Sequence, residues 1–190
     1  MHKQIGLALA LVAAAAAAAP LAAQMGMHDN PMVGGQAMSA NKDIVSNALN
    51  SADHTTLVAA VKAAGLVPTL QGKGPFTVFA PTNEAFAALP SGAVDNLLKP
   101  ENKATLTKVL TYHVVAGNYD AAALMKLIEE GHGTAKLNTV EGDPLWLMMN
   151  GPKNIVVKDE KGNVAAISTY DVRQSNGIIQ VIDKVLMPKM

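Results

Sequence analysis

The chain has 190 residues with 15 basic and 15 acidic side chains, so its formal net charge at pH 7 is zero. A neutral chain has no general electrostatic attraction for nucleic acid or for an anionic membrane, and we expect neither as a partner. The sequence contains no cysteine, which excludes thiol catalysis, thiolate metal sites and disulfide bonds.

Residues 1–23 are typical of a secretory signal peptide. Lys3 supplies the positive start, and the apolar run over residues 5–19 is too short for a comfortable membrane span. A retained anchor is the alternative interpretation. Cleavage before Gln24 would remove Lys3 and leave a net charge of −1. We therefore predict an exported protein, periplasmic or extracellular at the cell surface, with no transmembrane anchor after cleavage.

Residues 24–40 are expected to form a flexible lead-in, because glycine, proline, asparagine and serine occur there without a hydrophobic period. The segment is rich in methionine, and its candidate metal ligands are Met25, Met27, His28 and Met32. Thioether and imidazole groups suit Cu(I), so this is a candidate copper site. The alternative is that methionine has simply accumulated in an unstructured leader.

A single domain is predicted over residues 41–188, and its first half reads as helical. Helical pattern begins near Lys42, and a helix over residues 55–64 is predicted because Leu57, Val61 and Ala64 form one apolar stripe. Gly65 stands where such a helix ends.

Residues 76–89 (FTVFAPTNEAFAAL) indicate a strand that leads directly into a helix. Pro81 ends the strand, and Thr82 stands at the N-cap of the helix. Phe86 and Leu89 are three residues apart, so they share the helix face that turns towards the sheet. This pattern predicts a buried corner that organises a core.

The remaining elements follow in a clear order. Helices are predicted over residues 91–98, with Ser91 as the cap, over residues 103–111, and from the cap Asp120 to Gly131. From Thr134 the apolar period changes to two, which predicts strands over residues 135–140, 145–149, 155–158, 164–167 and 178–185. Most of the predicted helices precede most of the predicted strands along the chain, and this order favours an α+β fold.

Three segments, in order, resemble the fasciclin-like domain family. Residues 76–89 are similar to its first signature, residues 106–119 to its second, and residues 175–188 to its closing hairpin. The resemblance implies one α+β domain, a β-sheet wedge or sandwich with helices packed on one side. The signature positions that it carries over are Phe79, Pro81, Thr82, Phe86, Tyr112 and His113.

The Tyr112–His113 pair allows two interpretations. In animal members of the family, this segment has been linked to receptor-mediated cell adhesion. In this chain, Val114 and Val115 follow the pair and predict burial. We expect Tyr112 to pack with its hydroxyl hydrogen-bonded, and His113 to bond a backbone carbonyl at the start of a strand.

Trp146 is the only tryptophan of the chain and lies in a predicted strand. Alternation places Trp146 and Met148 on one face of that strand, and Leu145, Leu147 and Met149 on the other. We interpret Trp146 as a core or edge contact rather than as a platform for stacking a ligand.

The sequence and the resemblance together predict an exported, non-enzymatic interaction module for cell adhesion or for a surface matrix. It would be a monomer without a cofactor, and its partner a cell-surface or matrix protein or a polysaccharide. No nucleophile elbow, phosphate loop or metal spacing of histidines occurs in the sequence. Two alternatives stay open: periplasmic copper binding through the lead-in, and a hydrolase whose carboxylates the fold brings together.

Overall fold

A computed structural model describes residues 30–189 of the chain. The strands are β1 (Met32–Val33), β2 (Gln36–Ala37), β3 (Phe76–Pro81), β4 (Val114–Ala116), β5 (Thr134–Asn138), β6 (Pro144–Asn150), β7 (Asn154–Lys158), β8 (Val164–Gln174) and β9 (Gly177–Ile182). The helices are α1 (Ile44–Ala48), α2 (Thr55–Ala64), α3 (Val67–Leu70), α4 (Asn83–Ala87), α5 (Ala93–Leu97), α6 (Lys103–Tyr112) and α7 (Ala121–Glu130). Short 3₁₀ turns at Ala52–His54 and Pro100–Asn102 precede α2 and α6.

The main sheet has seven strands in the order β4-β3-β9-β8-β7-β6-β5. Strands β3 and β9 run parallel, and the other neighbouring strands run antiparallel. Strand β8 shifts its register against β9 on both sides of Thr169, and such bulges bend a strand. The backbone N–H of Val140, just after β5, donates to the Val114 carbonyl in β4 at 2.7 Å. The two edges of the sheet therefore meet, and the predicted α+β fold is confirmed.

Two apolar clusters hold these layers together. The first lies between the early helices and the β3–β9 part of the sheet, with Leu57, Leu110 and Ile179 among its buried members. The second lies inside the folded sheet, where Leu124 and Ile128 of α7 cover the inner faces of β5 and β6. Strands β5–β7 thus bury the side that faces α7, and their opposite side lies outside both clusters.

Local sequence signals placed three elements correctly. Helix α2 has the predicted bounds, and Gly65 after it adopts the left-handed conformation with φ of 74°. The Thr82 hydroxyl accepts from the Ala85 N–H at the start of α4. The Asp120 carboxylate accepts from the Ala123 N–H at the start of α7. Each of these features depends only on residues within one turn of chain.

Several predicted boundaries were wrong. Gly92, not Ser91, stands at the N-cap of α5. Tyr112 is the last residue of α6 and His113 its C-cap, because the His113 N–H still bonds the Leu110 carbonyl; the strand begins only at Val114. Strand β8 continues to Gln174, seven residues beyond Ile167, because its second half pairs with β9.

Residues 30–40 differ from the flexible lead-in that we expected. Strands β1 and β2 pair as a small antiparallel ribbon, and the side chains of Val33 and Met38 are buried in the first apolar cluster. The side chain of Asn30 both donates to the Arg173 carbonyl and accepts from the Arg173 N–H. This part of the segment therefore packs on the domain. Residues 24–29 lie outside the described range.

The N-cap at Thr82 gives a test of the corner between β3 and α4. Thr82→Ala should lower the free energy of unfolding by about 1 kcal/mol, because the Ala85 N–H loses its acceptor at the helix end. Thr82→Ser keeps a hydroxyl and is the matched control. Urea unfolding measures both variants, and equal stability of Thr82→Ala and Thr82→Ser would show that this cap contributes nothing.

Candidate functional site

The first signature segment lies in the core. The Phe79 side chain is 0% exposed and the Phe86 side chain 6%. Pro81 is also buried, at the end of β3. The Phe79 N–H donates to the His113 carbonyl at 2.9 Å, so the two signature segments contact each other directly. These aromatic rings face inward and are not available to a partner.

Tyr112 joins the end of α6 to two turns of the sheet. Its ring is fully buried, and its hydroxyl donates to the Pro144 carbonyl at 2.7 Å and accepts from the Glu160 N–H at 3.2 Å. Burial raises the pKa of the Tyr112 phenol, so the hydroxyl stays protonated. The hydroxyl thus donates its proton and accepts one hydrogen bond within the protein, as the sequence predicted for a packed tyrosine.

His113 has both ring nitrogens engaged. Its Nδ1 lies 2.8 Å from the Val109 carbonyl, and its Nε2 accepts from the Leu186 N–H at 2.9 Å. The carbonyl requires Nδ1 to carry the proton, which leaves Nε2 free to accept. Burial lowers the pKa of His113 to about 4, so the ring is neutral at pH 7. This geometry is that of a structural link between α6 and the C-terminal segment.

Gln180 is a buried polar residue that sequence reasoning missed. Its side-chain amide donates to the Tyr119 carbonyl and to the Asp171 carboxylate, and its oxygen accepts from the Asp171 N–H. The same carboxylate accepts from the Ala121 N–H at the start of α7. The available signal was one glutamine inside the apolar run GIIQVI. The network fixes the start of α7 against the bulge of β8.

A small apolar cavity of about 50 Å³ lies beside α2. His54 and His113 are among the residues that line it. The His54 Nδ1 and the Ser51 hydroxyl oxygen are hydrogen-bonded at 2.8 Å. The His54 Nε2 has no hydrogen-bond partner of normal geometry within the described residues. Burial lowers the pKa of His54, and the nearby Ala80 carbonyl acts against that shift. Since about 150 Å³ accommodates a benzene molecule, this cavity is too small for an organic ligand.

An open polar groove of about 350 Å³ runs along the turn between β8 and β9. Lys73 and Arg173 line it, and the Arg173 guanidinium lies 3.6 Å from the Asp120 carboxylate. The buried side chain of Asn176 forms its floor and bonds the Ile44 N–H and the Leu70 carbonyl. The Arg173 guanidinium is therefore paired with a carboxylate, and the Asn176 side chain is hydrogen-bonded to the backbone of two other segments.

The candidate copper ligands are only partly described. Met25, Met27 and His28 lie outside the described residues, whereas Met32 lies in β1 and is 66% exposed. Over residues 30–189, no three histidine or carboxylate side chains come together in a way that would hold a metal ion. The described part of the chain thus supplies one accessible thioether.

The outer face of β5–β7 is the side of these strands that faces away from α7 and the core. Leu145 and Leu147 of β6 are fully buried, whereas Trp146 and Met148 point outward and are partly exposed. The predicted alternation along this strand is therefore confirmed. Trp146, however, lies mid-strand on the outer side of the sheet rather than in the core.

Comparison with known proteins identifies the relatives of this chain. The profile of the family described as "Fasciclin domain" matches residues 52–188. Protein sll1483 of Synechocystis is 46% identical over 147 residues, covering 77% of this chain and 74% of that protein. The cell surface glycolipoprotein MPB83 of Mycobacterium bovis is 33% identical over 160 residues, covering 82% of this chain and 64% of that protein.

A solved structure shares the fold. It is a domain pair from the insect cell adhesion molecule Fasciclin I, which superposes with a TM-score of 0.69 at 19% identity. The match covers 77% of this chain and about half, 51%, of the insect chain. Among the described residues, no helix is both long and apolar enough to cross a membrane.

Proposed function

Because the chain belongs to the fasciclin domain family, we propose that it is an exported, non-enzymatic interaction module in cell adhesion or in a surface matrix. Proteins of this family are generally adhesion or matrix proteins without enzymatic activity, and homologues are secreted or found at the cell surface. The partner is a cell-surface or matrix protein or a polysaccharide, and the protein works as a monomer in the periplasm or outside the cell.

The outer face of β5–β7 carries this proposal. The signature residues are buried, so their side chains hold the fold rather than a partner. On the outer face, Trp146 and Met148 present large apolar groups at the surface, next to exposed polar side chains. Apolar groups gathered at the surface and rimmed by polar residues are typical of interaction sites.

Attachment of the producing cells tests this function. Deleting the gene should reduce attachment of the cells to a surface or to one another, and adding the purified protein should restore it. Heat-aggregated protein is the control, and it should not restore attachment. Unchanged attachment after deletion would reject the proposal, whatever ligand the purified protein binds.

Copper binding is a second candidate, favoured by the exposed thioether of Met32. Thioethers are soft ligands that select Cu(I). In a calorimetric titration, the mature protein should bind Cu(I), and substituting Met25, Met27 and Met32 by leucine together should abolish that binding. Substitution of the partly buried Met148 and Met149 is the matched control. Binding weaker than about micromolar, or binding that survives the triple substitution, would remove this candidate.

A further inference from the structure

We propose that the outer face binds an acidic polysaccharide, with Trp146 stacked on a sugar ring and Lys136 and Lys158 paired with its carboxylates. This inference rests on the proposed function and names the chemical class of the partner. It differs from the sequence-based interpretation, in which Trp146 was a core or edge contact.

The register of three strands places these side chains in one row. Lys136 of β5 lies directly opposite Trp146 of β6, and Trp146 lies directly opposite Lys158 of β7. All three point to the outer face, and both lysines are exposed. A cation therefore stands on each side of the indole ring, close enough for the lysine stems to pack against its edges.

The spacing of the row fits an extended, charged chain. Neighbouring strands are about 4.8 Å apart, so the two lysine strands lie roughly 10 Å apart with the indole between them. One face of a pyranose ring presents C–H groups, which are attracted to the negative face of an aromatic ring. The carboxylates of a uronate chain project from the ring edges, towards the sides on which Lys136 and Lys158 lie.

The charges around the row favour an anion. None of the outward positions of β5, β6 and β7 carries a carboxylate. The acidic groups that follow β7 already have partners: Asp159 is buried and accepts from the Met187 N–H, and Glu160 accepts from the Lys189 N–H. In the turn between β5 and β6, Glu141 and Asp143 each lie 3.4 Å from the Lys108 ammonium group. Asp183 accepts from the Ala166 N–H. Neither Lys136 nor Lys158 makes an ion pair within residues 30–189.

The neighbouring row is apolar. Met148, Val156 and Ala166 lie side by side across β6, β7 and β8, and Met148 and Ala166 are partly exposed whereas Val156 is 5% exposed. The accessible apolar surface beside the two cations is therefore that of Trp146 and Met148, which suits contact with the C–H face of a sugar. It does not suit nucleic acid, which requires many cations along its phosphates, whereas this chain is neutral overall.

Trp146 is also the reporter for the test, because the chain has no other tryptophan. Titration of the full mature protein with polygalacturonate should change the tryptophan emission in a saturable way, and 0.5 M NaCl should weaken this binding at least several-fold. Dextran, a neutral polysaccharide, should change it little. No saturable change with polygalacturonate, an equal response to dextran, or tighter binding of single-stranded DNA would overturn the proposal.

Lysine substitutions distinguish binding at Lys136 and Lys158 from a general effect of positive charge on the protein. Lys136→Gln with Lys158→Gln should weaken polygalacturonate binding at least tenfold, while the tryptophan reporter stays in place. Lys99→Gln with Lys126→Gln removes two exposed lysines elsewhere and should leave binding unchanged. Equal affinity of both double variants would refute the assignment. An emission change that depends on protein concentration without any sugar would instead identify a second copy as the occupant, and would also refute it.

The two proposals can fail separately. If Trp146→Ala loses polygalacturonate binding in calorimetry while deletion of the gene leaves attachment unchanged, the sugar site stands and the adhesive function fails. If deletion abolishes attachment and the Trp146→Ala protein restores it fully, the function stands and the assignment of its partner to this face is wrong.

Discussion

Phe79→Ala is expected to lower the free energy of unfolding by about 3–5 kcal/mol. The ring is 0% exposed and belongs to the cluster inside the folded sheet, so its removal leaves a cavity as well as losing apolar burial. The backbone around it is also fixed, since the Phe79 N–H bonds the His113 carbonyl. A loss of this size is a large share of the stability of an ordinary domain.

Urea unfolding of Phe79→Ala and of Phe76→Ala compares a fully buried and a partly buried ring within one strand. Phe76 begins β3 and is only partly buried, so its truncation should cost clearly less. Phe86→Ala, at 6% exposure, should resemble Phe79→Ala. If Phe79→Ala is nearly neutral in melting, the ring has room to relocate and the segment does not organise the core as described.

Acid should destabilise the protein between pH 6.5 and pH 4. Burial lowers the folded-state pKa of His113 from 6.5 to about 4, so in this range the unfolded chain binds a proton that the folded chain does not. Stability is therefore complete above pH 6.5 and falls as the pH falls, by about 3 kcal/mol in total. Burial shifts the pKa of His54 in the same direction and adds to the effect.

Denaturant unfolding at a series of pH values measures this dependence. His113→Gln should be less stable than the wild type at pH 7, because it disturbs the hydrogen bonds to the Val109 carbonyl and the Leu186 N–H. Because glutamine cannot take up a proton, its loss of stability between pH 6.5 and pH 4 should be shallower. A variant curve parallel to that of the wild type would show that His113 does not cause the acid sensitivity. A wild-type curve that is flat across the range would contradict the buried neutral ring.

Local features of this fold were predictable because their causes lie within a few residues. The stripe of α2, the hydroxyl at Thr82 and the carboxylate at Asp120 each act on the adjacent turn of chain. The end of α6 and the length of β8 were not predictable in this way. Strand β8 continues because β9 pairs with it after a bulge, and that pairing is not visible in the spacing of residues 164–174.

The burial of His113 and its bond to a backbone carbonyl were expected from the sequence, but the contact of its second ring nitrogen was not. The Leu186 N–H that it accepts from lies 73 residues further along the chain. The row on the outer face likewise depends on residues that are far apart in the sequence. Alternation gives the two faces of β6, yet only the pairing of β5, β6 and β7 brings Lys136, Trp146 and Lys158 side by side. Cross-strand register is set by the turns and the core together, so single-strand patterns do not reveal it.

The signature residues hold the fold, whereas the outer face of β5–β7 is the proposed binding surface. This division of roles is tested most directly by measuring, for His113→Gln and Trp146→Ala, the melting temperature and the binding of polygalacturonate by calorimetry at 10 °C. We expect His113→Gln to melt at a lower temperature and to bind as the wild type does, whereas Trp146→Ala should melt near the wild type and bind at least tenfold more weakly. Lost binding in a folded His113→Gln protein, together with intact binding in Trp146→Ala, would contradict this division of roles.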